Sequence, residues 1–480
     1  MSVQSSQVPD LMKLSQIPTD LEQSVDTDLL DPVVFSQEFC RFSLMRKGFL
    51  HSFSSIVLSL DAPTGNANAT YPTNIGVHSL IERATLKVGA QTICEIEDFA
   101  HYMGYKSLFI DNDINIERES VISGRITAHK LQLGADTDRN ASSYTIDNST
   151  YPVSDVSGDA FRPTYSAGGQ SSASFVESGY QVKDNLLLVN KPELRISLAD
   201  LFPFLRFNQL PLFMMDEEVS IELVWTPQNS TRRFVIQGDD SASTGERLNI
   251  TQSAVKMVAD YIFYDGDTMT SYANANREMN FNYVDYRLSK RTYAQTETSK
   301  QILNVGGAGR VVNKLFVAMG QDNASNKGLL GPYISQAPSL SGSNNGRLTT
   351  NVRYNDHFLY PIDRTLSAIQ FHDIVQTEAN VPYITRDEYA QEGGGSGGGG
   401  LSTDAGFGYN GFAISGEWRG KYNYQAHRLN RNERVNSRGI ELETQYNLAL
   451  PGAVAYTQRV WIELVRSAQL NNGKMNIYYA

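Results

Sequence analysis

Val219-Ser-Ile-Glu-Leu-Val-Trp225 and Val460-Trp-Ile-Glu-Leu-Val-Arg466 are the two stretches on which the fold turns. They differ at two of seven positions and begin 241 residues apart (460 minus 219), about half of the 480-residue chain. Successive side chains of a strand alternate sides, so in each stretch the first Val, the Ile and the Leu share one face and the Glu takes the other. A strand recurring half a chain later, late in each half, points to two similar domains in tandem. Length agrees, because a chain this long exceeds what one hydrophobic core usually organises. The join falls at 237–252, where Gly238-Asp-Asp-Ser-Ala-Ser-Thr-Gly245 has the polar composition of a linker.

The same period of two runs outward from these stretches. Phe42 to Met45, Ser54 to Leu60, Ala84 to Val88, Ala254 to Tyr264, Val311 to Met319, Ile440 to Tyr446 and Met475 to Tyr479 all read as strands. Asp61-Ala-Pro-Thr-Gly65 and Asn471-Asn-Gly473 break them, the second as an Asn-Gly hairpin signal. The pattern is that of antiparallel all-β sandwiches. Short helices are expected at three places. The first is the capping box Thr19-Asp-Leu-Glu22, with Leu21, Val25 and Leu29 as its stripe. The second is the segment carrying Ile96, Phe99, Ala100 and Met103. The third is the capping box Thr385-Arg-Asp-Glu388. Residues 136–180 and 321–351 lack apolar periodicity and read as long surface loops. A third loop, 391–408, holds the glycine tract Gly393 to Gly400.

Composition bounds the function. Hydrophobic residues at 41% and charged residues at 19% describe globular domains rather than a disordered chain. No apolar run approaches the ~20 residues that span a bilayer, and Met1 to Asp10 lacks the features of a secretory signal, so synthesis inside the cell is expected. Cys40 and Cys94 are too few for a disulfide scaffold and read as buried thiols, although a bridge between them stays open. The net charge is −11, and residues 1–33 set Lys13 against Asp10, Asp20, Glu22, Asp26, Asp28 and Asp31. Such an arm is not built to grip phosphate, so direct nucleic-acid binding is not expected.

Signatures of chemistry fail one by one. No metal-binding pattern of His and Cys occurs. Gly416-Glu-Trp-Arg-Gly-Lys421 is a residue short of a phosphate loop and is followed by Tyr422 instead of Ser or Thr. Gly306-Gly-Ala-Gly309 reads as a turn between strands. Asp111, Asp113 and Asn115 begin like a calcium loop, but Ile116 and Ile122 stand where Gly and Glu are needed. Asp136, Asp138 and Asn140 fail at the same glycine, and Gly394-Gly-Ser-Gly-Gly398 lacks the strand and helix of a nucleophile elbow. His372-Asp373 are neighbours that point apart in a strand. The sequons at Asn68, Asn140, Asn148, Asn229, Asn249 and Asn323 have no secretory signal to make them acceptors. No catalytic, cofactor-binding or metal-ligating residue is assigned, no cofactor is expected, and the chain reads as a non-enzyme.

Four stretches together resemble a known family. They are Ser79-Leu-Ile-Glu-Arg-Ala-Thr-Leu-Lys-Val-Gly-Ala-Gln-Thr-Ile93 with the aromatic segment Phe99, Tyr102 and Tyr105 after it; Ile196-Ser-Leu-Ala-Asp-Leu-Phe-Pro-Phe204 with Leu210-Pro-Leu-Phe213 and Glu218 to Glu222; Ala259-Asp-Tyr-Ile-Phe-Tyr-Asp265; and Arg459 to Tyr479. In this order they resemble the double jelly-roll major capsid proteins of eukaryotic DNA viruses: algal viruses, virophages and polinton-like viruses. Ala90 stands where a second Gly is common in that family, and the stretch after Asp265 lacks its charged cluster.

The resemblance implies two tandem eight-stranded antiparallel jelly rolls, at 34–236 and 253–480, with an N-terminal arm at 1–33 and the linker at 237–252. Ala259 to Asp265 would open the second roll. It also implies a homotrimer whose six rolls form a pseudo-hexameric capsomer, or hexon, that tiles an icosahedral virion shell around a DNA genome. Penton and minor or cement proteins would be its partners, and an internal membrane beneath the shell is left open. The loops 136–180 and 321–351 would clasp the trimer and face outward. The arm would reach neighbouring capsomers, so that its deletion spares the trimer and impairs the shell. The alternative is a β-sandwich carbohydrate-binding or adhesin protein, which would remain a monomer or small oligomer.

Overall fold

The computed structural model describes residues 23–61, 69–70, 75–106, 122–124, 143–146, 149–152, 176–177, 180–181, 193–228, 233, 235–236, 247–294, 297–320, 348–361, 377, 407–408, 412–413, 424–429, 433–446 and 456–479. Within them the chain forms two β sandwiches, the double jelly-roll fold.

The first sandwich packs two sheets. One runs Val34–Phe35, Phe39–Ser43, Val219–Trp225, Ile81–Val88, Gln91–Glu97. The other runs Glu193–Ser197, Ser55–Ser59, Lys256–Tyr264, Phe49–Leu50, Leu210–Pro211, with Gln23–Leu30 also paired to Lys256–Tyr264. In the second sandwich one sheet runs Glu278–Tyr293, Tyr456–Asn471, Val312–Gly320, Tyr424–Arg428, with Lys474–Tyr479 added on Tyr456–Asn471. Its partner sheet runs Gln301–Gly306, Ile440–Tyr446, Leu348–Tyr354, His357–Phe358.

The recurring heptapeptide occupies the same place twice. Val219–Trp225 lies between Phe39–Ser43 and Ile81–Val88. Tyr456–Asn471 lies between Glu278–Tyr293 and Val312–Gly320. Val219, Ile221 and Leu223 are buried in the first core, and Val460, Ile462 and Leu464 in the second. Burying each such side chain stabilises by about 1.5–3 kcal/mol, which is why the apolar half of the pattern recurs.

The turns follow backbone chemistry. Asn472 (φ 47) and Gly473 (φ 80) are both left-handed, the type I′ requirement, and join Tyr456–Asn471 to Lys474–Tyr479. Between Ile81–Val88 and Gln91–Glu97, Gly89 alone takes a positive φ (56), so Ala90 fits where the resembled family often has glycine. Gly306, Gly307 and Gly309 form the expected inter-strand turn.

Several expectations are corrected. Lys256–Tyr264, expected to open the second roll, pairs with Gln23–Leu30, Ser55–Ser59 and Phe49–Leu50 of the first sandwich. Met257, Ala259 and Tyr261 bury in that core, and alternation alone carries no label saying which sandwich it serves. In the segment expected as linker, Leu248 and Ile250 are buried and Ile250 bridges to Leu60, so they belong to the first body. The chain instead crosses between the sandwiches through the helix Gly266–Ala275, capped by Asp265, which accepts the Thr268 N–H at 3.0 Å.

Of the first expected helix, Thr19 to Glu22 lie outside the described residues, and the described part, Gln23–Leu30, is a strand. Val25 and Leu29 are 56% and 63% exposed, so a helical stripe would have nothing to bury against. Eight backbone pairs to Lys256–Tyr264 hold Gln23–Leu30 extended instead, and Asp26 and Asp28 both reach Lys47 at 2.6 Å. Part of the predicted arm is therefore a sheet strand. The second helix is present as Phe99–Lys106, while Ile96 belongs to the preceding strand. Thr385 to Glu388 lie outside the described residues. Loop 321–351 ends early, because Leu348–Tyr354 is a strand. Within 136–180 the described pieces are short hairpin strands. Of loop 391–408 only Phe407–Gly408 is described, paired with Phe412–Ala413.

Candidate functional site: the joint between the two sandwiches

Where the sandwiches meet, the sequence supplies a second use for the recurring strand. Val460, Ile462 and Leu464 fill the second core, but Trp461 points the other way and joins the cluster centred on the first sandwich. Phe316, opposite Trp461 in register, lies parallel to it at 5.2 Å between ring centroids, and Tyr105 stacks on Phe316 at 4.3 Å. Tyr102 meets Tyr286 at 4.9 Å. The helix Phe99–Lys106 thus pushes two tyrosines into the outer face of the second sandwich. Lys106 Nζ sits 5.4–5.9 Å from the rings of Tyr102, Tyr105, Tyr286 and Phe316.

Polar groups fix the register of this apolar contact. The Trp461 indole N–H donates to the Glu97 carbonyl at 3.3 Å, and the Tyr283 hydroxyl to the Ile93 carbonyl at 2.8 Å. Tyr286 donates to Glu463 at 2.6 Å, and Asn313 to the other Glu463 oxygen at 3.2 Å. The C-terminal hairpin docks its tip on the first sandwich, where the Asp216 N–H donates to the Gly473 carbonyl at 2.8 Å. A Cβ on Gly473 would lie 2.4 Å from the Asp216 carboxylate, which would have to move, and the left-handed φ of 80 favours glycine there.

Asp98 is the centre of the charged part. It joins the Gln91–Glu97 strand to the Phe99–Lys106 helix and holds a left-handed φ of 53. Its carboxylate, with no exposed surface, receives Arg459 Nε at 2.7 Å, Lys290 Nζ at 3.0 Å and His101 Nδ1 at 2.5 Å. Burial alone would raise its pKa, yet the charges of His101, Arg459 and Lys290 prevail and hold it well below the usual carboxylate range. Nearby, Arg466 reaches Asp285 at 2.5 Å and the Ile93 carbonyl at 3.2 Å. Here burial outweighs Arg466 and the Glu95 N–H, so the Asp285 pKa is raised. Burial likewise pushes the Tyr286 hydroxyl well above its ordinary value, reinforced by Tyr102 and Glu463.

The arrangement sets an angle. Two sandwiches meet through stacked rings and paired charges, and sliding one past the other would separate the buried Asp98–Arg459 pair. Asp98, Arg459, Lys290 and Trp461 carry no motif, since cation and carboxylate lie 361 residues apart. Among the described residues no group of three or more His, Cys, Asp or Glu could hold a metal. Cys40 and Cys94 are buried free thiols; burial raises Cys40 to about 12 and Cys94 well above its ordinary value. The rejected candidates at Asp111 to Ile122 lie outside the described residues apart from Ile122 itself, and His372, Gly394 to Gly398 and Gly416 to Lys421 lie wholly outside them.

No family model and no curated protein matches the sequence. Solved structures do match the fold. A chain in the cryo-EM structure of the Sputnik virophage superposes with a TM-score of 0.54 at 10% identity, covering 100% of this chain and 93% of that one. The Faustovirus major capsid protein gives 0.53 at 8% identity, covering 95% and 92%. A chain of the PBCV-1 virus capsid gives 0.52 at 11% identity, covering 96% and 97%. The chain therefore shares the fold of viral capsid chains over nearly its whole length.

Proposed function

We propose that this chain is a viral major capsid protein, and that it acts by assembling rather than by catalysis. The observation that carries the reading is the joint: two like sandwiches held side by side as one body. A hexagonal tile built from three chains needs six similar walls, and a tandem pair per chain supplies them. Three copies form the capsomer, and capsomers tile an icosahedral shell around a DNA genome. Penton and minor capsid proteins complete the shell. A net charge of −11 supports leaving nucleic-acid contact to other components. The protein's place is the virion. Among the described residues no helix is long and apolar enough to cross a membrane.

Native mass spectrometry of the purified chain tests this. A species of about 160 kDa, three times 53.3 kDa, is expected, with hexagonal outlines in negative stain. A monodisperse monomer that binds glycans would favour the adhesin alternative and overturn the reading.

A further inference from the structure

At the end of the first sandwich where Phe39–Ser43 begins and Val219–Trp225 ends, a positive charge is buried with no negative one against it. Arg233 is wholly buried, among the largest side chains so enclosed. Its Nη1 donates to the Thr226 carbonyl at 2.9 Å and to the Gln37 carbonyl at 3.2 Å, and its Nη2 donates to Gln37 Oε1 at 3.3 Å. All three acceptors are neutral amide oxygens, and Gln37 Oε1 also takes the Ile250 N–H at 2.8 Å. Among the described residues no carboxylate reaches the guanidinium. Burial alone acts on it and lowers its pKa to about 10, so it is charged at neutral pH. Buried charges are ordinarily paired, because an isolated one forfeits its hydration.

Two donors at this end lack an acceptor among the described residues. Arg233 Nε is enclosed and unbonded, and so is the indole Nε1 of Trp225, which is 2% exposed. The backbone brings the two residues to one place. Trp225 precedes Thr226, whose carbonyl Arg233 holds, and the Trp225 N–H donates to the carbonyl of Glu38, next to Gln37, at 2.9 Å. Buried donors in native interiors are nearly always bonded, so each calls for an acceptor from outside the protein. Water would accept both hydrogens and leave the charge unbalanced. A small anion does both, since it only accepts and it carries the opposite charge. The full enclosure of Arg233 favours a single-atom ion over a phosphate or a carboxylic acid.

We propose that a chloride-sized halide binds between Arg233 Nε and Trp225 Nε1 and closes this end of the first sandwich. The ion would secure a knot of three segments distant in sequence. They are Gln37 before Phe39–Ser43, Thr226 after Val219–Trp225, and Ile250, whose N–H and carbonyl both bond the Gln37 amide at 2.8 Å. The site goes beyond the capsomer reading and does not depend on it.

Melting temperature against halide tests this. The parent, dialysed into sodium gluconate, should melt several degrees higher as chloride replaces gluconate at constant ionic strength. The rise should saturate, because an ion that binds only the folded chain stabilises it by mass action. Arg233→Gln should melt at the same temperature in both salts. Trp225→Phe keeps a ring in the core and drops the indole N–H; it should raise the half-saturating chloride concentration by about tenfold. Parent crystals grown in sodium bromide should show an anomalous peak within hydrogen-bond reach of both nitrogens. Should Arg233→Gln fail to fold, the Trp225→Phe shift and the bromide peak decide. A parent that melts alike in the two salts and holds no bromide at Arg233 overturns the proposal and leaves both donors to water. A halide dependence that Arg233→Gln or Trp225→Phe keeps unchanged belongs to the surface and overturns it equally.

Discussion

Replacing Asp98 by Asn removes a charge while keeping nearly everything else. Asn tolerates the left-handed backbone that φ 53 demands, so the turn into the helix survives. What remain are Arg459, 2% exposed, and the buried His101, facing an amide instead of a carboxylate. Breaking a buried pair by removing one partner costs about 3–5 kcal/mol, because the surviving charge has left water without compensation. Lys290 is 46% exposed and adds little, since water screens it. A loss of about 4 kcal/mol should lower the melting temperature by roughly 8–16 °C for a unit of this size, at about 2–4 °C per kcal/mol.

The pH dependence has a definite sign. The folded-state pKa of Asp98 lies well below its unfolded value. Its contribution is therefore complete above about pH 4, the ordinary carboxylate value, and is lost as the pH falls through the folded one. Scanning calorimetry should show the gap between parent and Asp98→Asn wide at pH 7 and closing in acid. Asp98→Asn with Arg459→Met should recover the part of the loss due to the guanidinium, because that charge then leaves with the carboxylate, while His101 stays without its partner. An unchanged melting temperature for Asp98→Asn, or a double variant as unstable as the sum of the singles, would refute the reasoning.

Trp461→Ala empties a site with no exposed surface and unstacks Phe316; a cost of about 3–5 kcal/mol is expected, and calorimetry should resolve the single transition into two as the sandwiches uncouple. With Cys40 at about 12 and Cys94 well above its ordinary value, a thiol-reactive dye at pH 8 should label neither cysteine until denaturant is added, and rapid labelling of the folded protein would contradict their burial. Deleting residues 1–33 removes the Gln23–Leu30 strand, bares the edge of Lys256–Tyr264 and should lower the melting temperature by several degrees.

Much of the architecture was legible because it is periodic. The repeated heptapeptide marked equivalent strands correctly, and Asn472-Gly473 announced its hairpin. What misled was the same periodicity where it is degenerate. Leu21, Val25 and Leu29 lie four apart, a spacing that suits a helix face and a strand face alike; for Val25 and Leu29 the eight backbone pairs to Lys256–Tyr264 decided it. Lys256–Tyr264 alternates as any half-buried strand does, so its allegiance to the first sandwich emerged only from its partners. The joint was hidden for another reason. Trp461, Glu463 and Arg459 sit on the face that should be wet in an isolated sandwich, and a sequence read strand by strand does not say that another body covers it. In hindsight the two substitutions that separate the heptapeptides, Ser220 against Trp461 and Trp225 against Arg466, were the signal: the second copy had acquired groups suited to burial against a neighbour.

The hairpin tip at Gly473 has a bearing on the order in which the molecule is made. Leu470, Met475 and Ile477 pack into the cluster begun by residues near the other end of the chain, and the tip itself is bonded to Asp216. A first sandwich leaving the ribosome therefore keeps the surface that receives this hairpin bare until residues 456–479 have been translated. A chain that stops short of them lacks both that hairpin and Trp461, and its first sandwich has nothing to close the joint.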